Sequence, residues 1–209
     1  MTVTAPVQIP GIRTSAPQPL PFAPSLEVRA FVLERERGNL LVYSTDVLDD
    51  PGDVSRWYLN HSHEAMFVSG SVTAPLFVHE RERWAVQGKA HVRATFSRRH
   101  TLDDDFEAIP TPGHTPGATA YLWDNGQHRF LFTGDTIYLR DGEWVAAVLD
   151  SSDRAAYLES LELIRELEFD VLVPWAATAG EPWYAVTSHA DARRRIDTIV
   201  ERVRAGGDH

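Results

Sequence analysis

The chain has 209 residues, the length of one large domain or two very small ones. Its 43% hydrophobic and 24% charged content is ordinary globular usage, so a packed core is within reach. A net charge of -10 argues against nucleic acid as a partner, because phosphate recognition depends on Lys and Arg clusters, and the lack of cysteine removes disulfides, thiolate ligands and thiol nucleophiles.

In chain order, residues 1–24 hold Pro6, Pro10, Pro17, Pro19, Pro21 and Pro24. Proline fixes φ and lacks a backbone donor, so this stretch reads as an extended arm, disordered or laid along the neighbouring subunit of a homodimer. Residues 25–209 form the domain, with order expected from about Leu26. Leu26 to Leu33 alternates enough for a strand, Gly38-Asn39 marks a turn, and Leu40 to Tyr43 returns as the partner. Pro75 to Val78 is another short strand. Phe106 to Ile109 leads into a Pro/Gly loop. Ala118 to Trp123 and His128 to Phe132 flank Asn125-Gly126, a pair that tolerates the positive φ of a tight hairpin. Asp170 to Val173 is a last buried strand, stopped by Pro174.

Two helices are expected. Between Asp153 and Glu168, Tyr157, Leu158, Leu161, Ile164 and Leu167 share one stripe. After Ser188, Ile196, Ile199, Val200 and Val203 do the same; Ser188 and Asp191 have capping-box-like spacing and Gly206 ends the run. The order of elements predicts an α/β sandwich in one domain. No apolar run approaches ~18 residues, so no membrane span is expected. The N-terminus has no basic and apolar leader pattern, and the cytoplasm is the expected location.

The chemistry concentrates in three segments: His61-Ser62-His63 after the apolar run Trp57-Tyr58-Leu59, Thr111-Pro112-Gly113-His114-Thr115-Pro116-Gly117, and Thr133-Gly134-Asp135-Thr136. Three imidazoles and a carboxylate can close a four-coordinate shell around a borderline-soft ion. Strand-end and loop placement lets distant residues meet at one edge of a sheet. His61 and His63 fall on one face if the chain there is extended, which sends Glu64 away from the site. The competing reading makes the histidines backbone-bonded and Asp135 a turn residue bonding backbone two positions on.

These segments resemble the metallo-β-lactamase fold superfamily, in particular its glyoxalase II-like hydrolase branch, over about residues 26–205. His61-Ser62-His63 is similar to the start of an HxHxDH motif, Thr111 to Gly117 to a TPGHTPG loop, and Thr133 to Thr136 to a TGDT strand end. The resemblance implies a four-layer αββα sandwich with a metal site at one edge of its two sheets. It implies that His61, His63, His114 and Asp135 ligate a first metal, with Asp135 a ligand or a base.

The ligands private to a second metal would stand at positions 65, 66 and 176, where this chain has Ala65, Met66 and Ala176. The resemblance therefore implies a hydrolase-like protein with one Zn²⁺, acting on a small thioester, ester or lactone. Two alternatives stay open: one Fe²⁺ in an oxygenase resembling persulfide dioxygenases, and a non-catalytic binding or assembly protein of the same fold. His189 is the reserve candidate for a lost ligand. His79 and Glu80 read as structural, and His91, His100, His128 and His209 as surface residues. Trp175, Trp183 and Tyr184 read as core, or as apolar walls of the vacated second site.

Overall fold

The computed structural model describes residues 9–48 and 50–209. In chain order its strands are β1 (Ile12–Thr14), β2 (Gln18–Leu20), β3 (Ala23–Val28), β4 (Phe31–Leu33), β5 (Asn39–Val42), β6 (Val54–Tyr58), β7 (Leu76–His79), β8 (Val92–Phe96), β9 (His100–Leu102), β10 (Phe106–Pro110), β11 (Thr119–Asp124), β12 (Arg129–Gly134), β13 (Tyr138–Arg140), β14 (Glu143–Val145), β15 (Val171–Pro174), β16 (Ala176–Thr178) and β17 (Ala185–Val186). The helices are α1 (Arg83–Gln87), α2 (Arg154–Arg165) and α3 (His189–Arg204), with 3-10 turns at Ser62–Phe67 and Glu80–Glu82.

Among the described residues the strands form three hydrogen-bonded sheets, ordered β1-β4-β5-β6-β7-β8, β17-β15-β12-β11-β10-β9 and β14-β13-β16-β3-β2. Period-2 alternation decides where each side chain goes. Phe31 and Leu33, Leu40 and Val42, and Tyr58 point into a central core. They meet Phe106, Tyr121, Trp123, Phe130, Phe132, Val171 and Val173 from the second sheet. The intervening residues face outward. Ala120, Leu122, Leu131 and Leu172 bury the stripes of α2 and α3, through Tyr157, Leu161 and Ile164 and through Ile196, Ile199, Val200 and Val203. Val32, Leu41, Trp57, Leu76 and Val78 are covered by Ala65 of the first 3-10 turn and Val86 of α1. The result is the αββα layering, with one helical layer thinned to a five-residue helix and 3-10 turns.

Both long helices are capped at their starts, α3 by the Ser188 that its capping-box-like spacing marked. Asp153 accepts from the N–H groups of Ala155 and Ala156, and Ser188 Oγ accepts from Asp191 N–H at 3.2 Å. Gly206, at φ +91°, ends α3. The expected hairpin is present: β11 and β12 pair antiparallel across Asn125-Gly126, and Gly126 takes φ +83°.

Two expectations are corrected. Among the described residues regular structure begins at Ile12, ahead of Leu26, because β1 pairs with β4 and β2 pairs with β3. Proline is compatible with such pairing at edge positions, and Pro19 lies in β2 at a sheet edge. The first eight residues of the proline-rich stretch lie outside the described residues. The expected strand from Leu26 to Leu33 is two strands, β3 and β4, which belong to different sheets and part at Arg29-Ala30. Among the described residues no helix is long and apolar enough to cross a membrane.

Candidate metal centre

Three strand ends deliver the predicted ligands to one edge of the sandwich. β6 continues through Leu59 and Asn60 to His61, whose backbone is extended (φ -155°, ψ 169°). The chain then coils into the 3-10 turn that carries His63. The loop between β10 and β11 carries His114, and Asp135 follows β12. Asn60 ties these pieces together: its carbonyl accepts from Thr119 N–H at 3.0 Å and its side-chain amide donates to the Thr119 carbonyl.

Two glycines are required by close approach. Gly134, at φ +57°, packs on the Asn60 side chain, where a Cβ would come within 2.1 Å of its Oδ1. Gly113, at φ +142°, packs on α2, where a Cβ would come within 2.4 Å of the Tyr157 backbone. Both conformations are ones that L side chains rarely adopt.

Ligand atoms from His61, His63, His114 and Asp135 all lie within 4.8 Å of one another. His63 Nδ1 is 3.1 Å from His114 Nε2. Asp135 Oδ2 is 3.4 Å from His61 Nε2 and 3.6 Å from His114 Nε2. A tetrahedral ion with arms of about 2.0–2.1 Å needs edges of about 3.3 Å between its ligand atoms. His61 Nε2 and Asp135 Oδ1 are buried without a hydrogen-bond partner, an arrangement that costs free energy unless something else occupies those lone pairs. On spacing and on these orphaned atoms, the four residues fit a cation. No second group of three or more metal-binding side chains converges among the described residues.

A surrounding set of groups orients these side chains. His61 Nδ1 lies 2.9 Å from Glu64 Oε1, and that carboxylate also accepts from the N–H groups of Asn60 and His61. His114 Nδ1 donates to the Ala147 carbonyl at 2.6 Å. Both bonds leave Nε2 as the nitrogen that faces the cluster. Glu82 accepts from Ser62 N–H at 2.8 Å and from Gly117 N–H at 2.6 Å, joining the His61–His63 loop to the His114 loop. The Tyr157 hydroxyl donates to the Thr136 carbonyl and accepts from Ala147 N–H. Tyr43 donates to the Val173 carbonyl and accepts from Gly134 N–H at 2.8 Å, holding the Asp135 strand end.

The cluster is electrostatically hungry for positive charge. Burial opposes a charged His61, but the carboxylates of Asp135 and Glu64 outweigh it and push its pKa up to about 10. Burial raises Glu64 to about 7, against the pull of His61. Burial, reinforced by the charge on His61, lowers His114 to about 4 and also lowers His63. Burial pushes Asp135 up, but the three histidines prevail and hold it below the usual carboxylate range. Two histidines are thus neutral, as ligands must be, and the two carboxylates need one cation between them.

Glu64 is a correction. It does not turn away from the site but is fully buried against His61. The expectation assumed an extended chain, whereas a 3-10 turn eclipses positions three apart and so brings 61 and 64 together. Glu82 has no place in the sequence reading, and Tyr43 and Tyr157 enter it only as strand and helix-stripe residues, because one charged or aromatic residue far from the motifs carries no local signal of a site. His189 is outside the converging group. Trp175 packs edge-on against His61 with ring centroids 5.5 Å apart, while Trp183 packs against Phe31 in the central core. His209 is exposed but borders the pocket over the cluster.

The family profile of the metallo-β-lactamase superfamily matches residues 47–176, and the chain belongs to that superfamily. TMB-1 is similar in fold at a TM-score of 0.70 and 12% identity, over 93% of this chain and 94% of that one. BJP-1, a subclass B3 metallo-β-lactamase of Bradyrhizobium japonicum, has a TM-score of 0.61 and 14% identity, with 87% and 90% covered. AidC, a dizinc quorum-quenching lactonase, has a TM-score of 0.53 and 14% identity, with 78% and 76% covered. No curated protein matches the chain.

Proposed function

We propose that the protein is a metal-dependent hydrolase with one ion, held by His61, His63, His114 and Asp135, acting on a small ester, thioester or lactone. The convergence of four ligand atoms, with His61 Nε2 buried and unpartnered among them, carries this reading. Superfamily membership and the likeness to a lactonase and a β-lactamase support a hydrolytic reaction. The positions at which the glyoxalase II-like resemblance implies second-metal ligands hold Ala65, Met66 and Ala176, which supports a single ion. Ala65 is built into an apolar cluster, and Met66 and Ala176 border the pocket. Three neutral nitrogens and one carboxylate suit Zn²⁺, with Fe²⁺ as the alternative.

A bound Zn²⁺ would polarise the substrate carbonyl and lower the pKa of water to about 7. The chain's own groups would do the rest. Asp135 is 18% exposed and faces the pocket, so its carboxylate would take a proton from the attacking water. Glu64 and the Ala147 carbonyl hold His61 and His114 in one tautomer. The charge of -10 favours a small molecule over nucleic acid as the partner.

Elemental analysis of protein purified without chelator, beside His61→Ala and His114→Ala variants, tests the reading. About one ion per chain in the parent and none in either variant is expected. No uptake by the parent after reconstitution with zinc or iron overturns it. Zinc in that assay selects hydrolysis and iron selects oxygenation.

A further inference from the structure

Directly over the cluster lies a pocket of about 400 Å³ that reaches His63, His114 and Asp135 at one end. Its remaining walls are strongly apolar. The β2–β3 hairpin supplies Leu20, Phe22, Ala23 and Leu26, and Met66, Trp175 and Ala176 line the side next to the histidines. No Lys or Arg borders it among the described residues. Its mouth is rimmed by large apolar side chains held in water: Phe22 is 70% exposed, Met66 44% and Leu149 42%. Exposed apolar groups gathered at one opening, rather than scattered singly, mark a surface that meets an apolar ligand.

We infer that this pocket is an acyl subsite, and that the substrate is an ester, thioester or lactone whose acyl part is an uncharged alkyl chain. The inference rests on the proposed hydrolytic site, since it places the reacting carbonyl at the His/Asp cluster and the chain between the β2–β3 hairpin and Trp175. An acyl group ending in a carboxylate is excluded on the same grounds. It would be desolvated against Leu20, Phe22 and Leu26, where the lining offers no Lys or Arg to pair with it. The proline-rich stretch thereby becomes a specificity element, since its β2–β3 turn carries Phe22.

Calorimetric titration with primary alkylamides from butanamide to decanamide tests the subsite without requiring turnover. It is run on metal-loaded and chelator-treated protein, on Phe22→Ser and Met66→Lys, and with adipamate beside hexanamide. Both substituted side chains are exposed, so the variants are expected to fold. Burying one methylene corresponds to about a fourfold gain in affinity. The dissociation constant is therefore expected to fall about fourfold per added carbon until the pocket is full, in both metal states. Met66→Lys and Phe22→Ser should weaken octanamide at least tenfold while moving butanamide less than twofold. In chelator-treated protein adipamate should bind at least thirtyfold more weakly than hexanamide. Affinity independent of chain length, or equal binding of adipamate and hexanamide in chelator-treated protein, overturns the inference. A chain-length slope in protein that never takes up metal would leave the subsite standing and remove the hydrolytic reading. Metal uptake with a flat slope would do the reverse.

Discussion

The Glu64 carboxylate lies 2.9 Å from His61 Nδ1, and both side chains are fully buried. This contact fixes the ring so that Nε2 faces the cluster and raises the basicity of that nitrogen. Glu64→Ala is expected to weaken metal binding by about 10- to 100-fold. Glu64→Gln keeps an acceptor for Nδ1–H without the charge and should lose less. Competition with a chelator of known affinity measures both. Equal affinities in parent and Glu64→Ala would remove Glu64 from the site's support.

Glu82 joins two ligand loops by accepting from Ser62 N–H and Gly117 N–H, and its residue is 2% exposed. Removing the carboxylate strands the buried Gly117 N–H, at a cost of about 1–3 kcal/mol, and the half-buried Ser62 N–H at less. Glu82→Ala should lower the melting temperature and weaken metal binding together. Gly117→Ala should do likewise from the other side, because its Cβ would press within 2.8 Å of that carboxylate. Thermal melts with and without metal check this. A destabilised Glu82→Ala protein with parental metal affinity would show that Glu82 braces the fold but not the site.

The sequence carried the site better than it carried the elements that deliver it. His61, His63, His114 and Asp135 are recognisable because a strand end or a short Pro/Gly-rich loop gives each a local signature, and the structure brings all four together. The hairpin at Asn125-Gly126 and the stripes of α2 and α3 were legible for the same reason: periodicity and turn chemistry are local. The β1–β4 and β2–β3 pairings were not, because proline-rich composition hides strand character and pairing is decided by a distant partner. Glu64 was misplaced by a choice of period, two for a strand against three for a 3-10 turn, and a six-residue segment holds too little pattern to settle that choice.

Arg35 offers a separation of stability from function. Its side chain is 2% exposed and reaches from the β4–β5 turn of one sheet to Asp105 and Asp103 in the β9–β10 turn of the other. The two carboxylates are about one-third exposed, so the pair is worth less than a fully buried one. Arg35→Met is expected to cost about 2 kcal/mol, below the range for breaking a fully buried pair. Metal affinity should stay within twofold of the parent, since this clamp contacts none of the four ligands. Denaturant unfolding and chelator competition on the same variant check the two halves separately.

The charge hunger of the cluster sets the pH dependence of stability. Without metal, His61 is raised from 6.5 to about 10, chiefly because Asp135 and Glu64 outweigh its burial. A raised histidine contributes stability that is complete below its unfolded pKa and disappears as pH climbs through the folded value. Glu64, raised by burial from 4.5 to about 7, acts in the same direction over a lower window. His114, lowered by burial to about 4, acts oppositely, and its contribution is lost as pH falls from about 6.5 towards 4. Metal-free protein should therefore lose melting temperature between about pH 7 and 10. A bound cation replaces the His61 proton, and its affinity rises as that proton leaves. The gap in melting temperature between metal-loaded and metal-free protein should then widen from pH 7 to 9. In His61→Ala the metal-free decline over that window should be reduced and the gap should vanish. A gap that narrows as pH rises would mean that His61 does not exchange its proton for the ion.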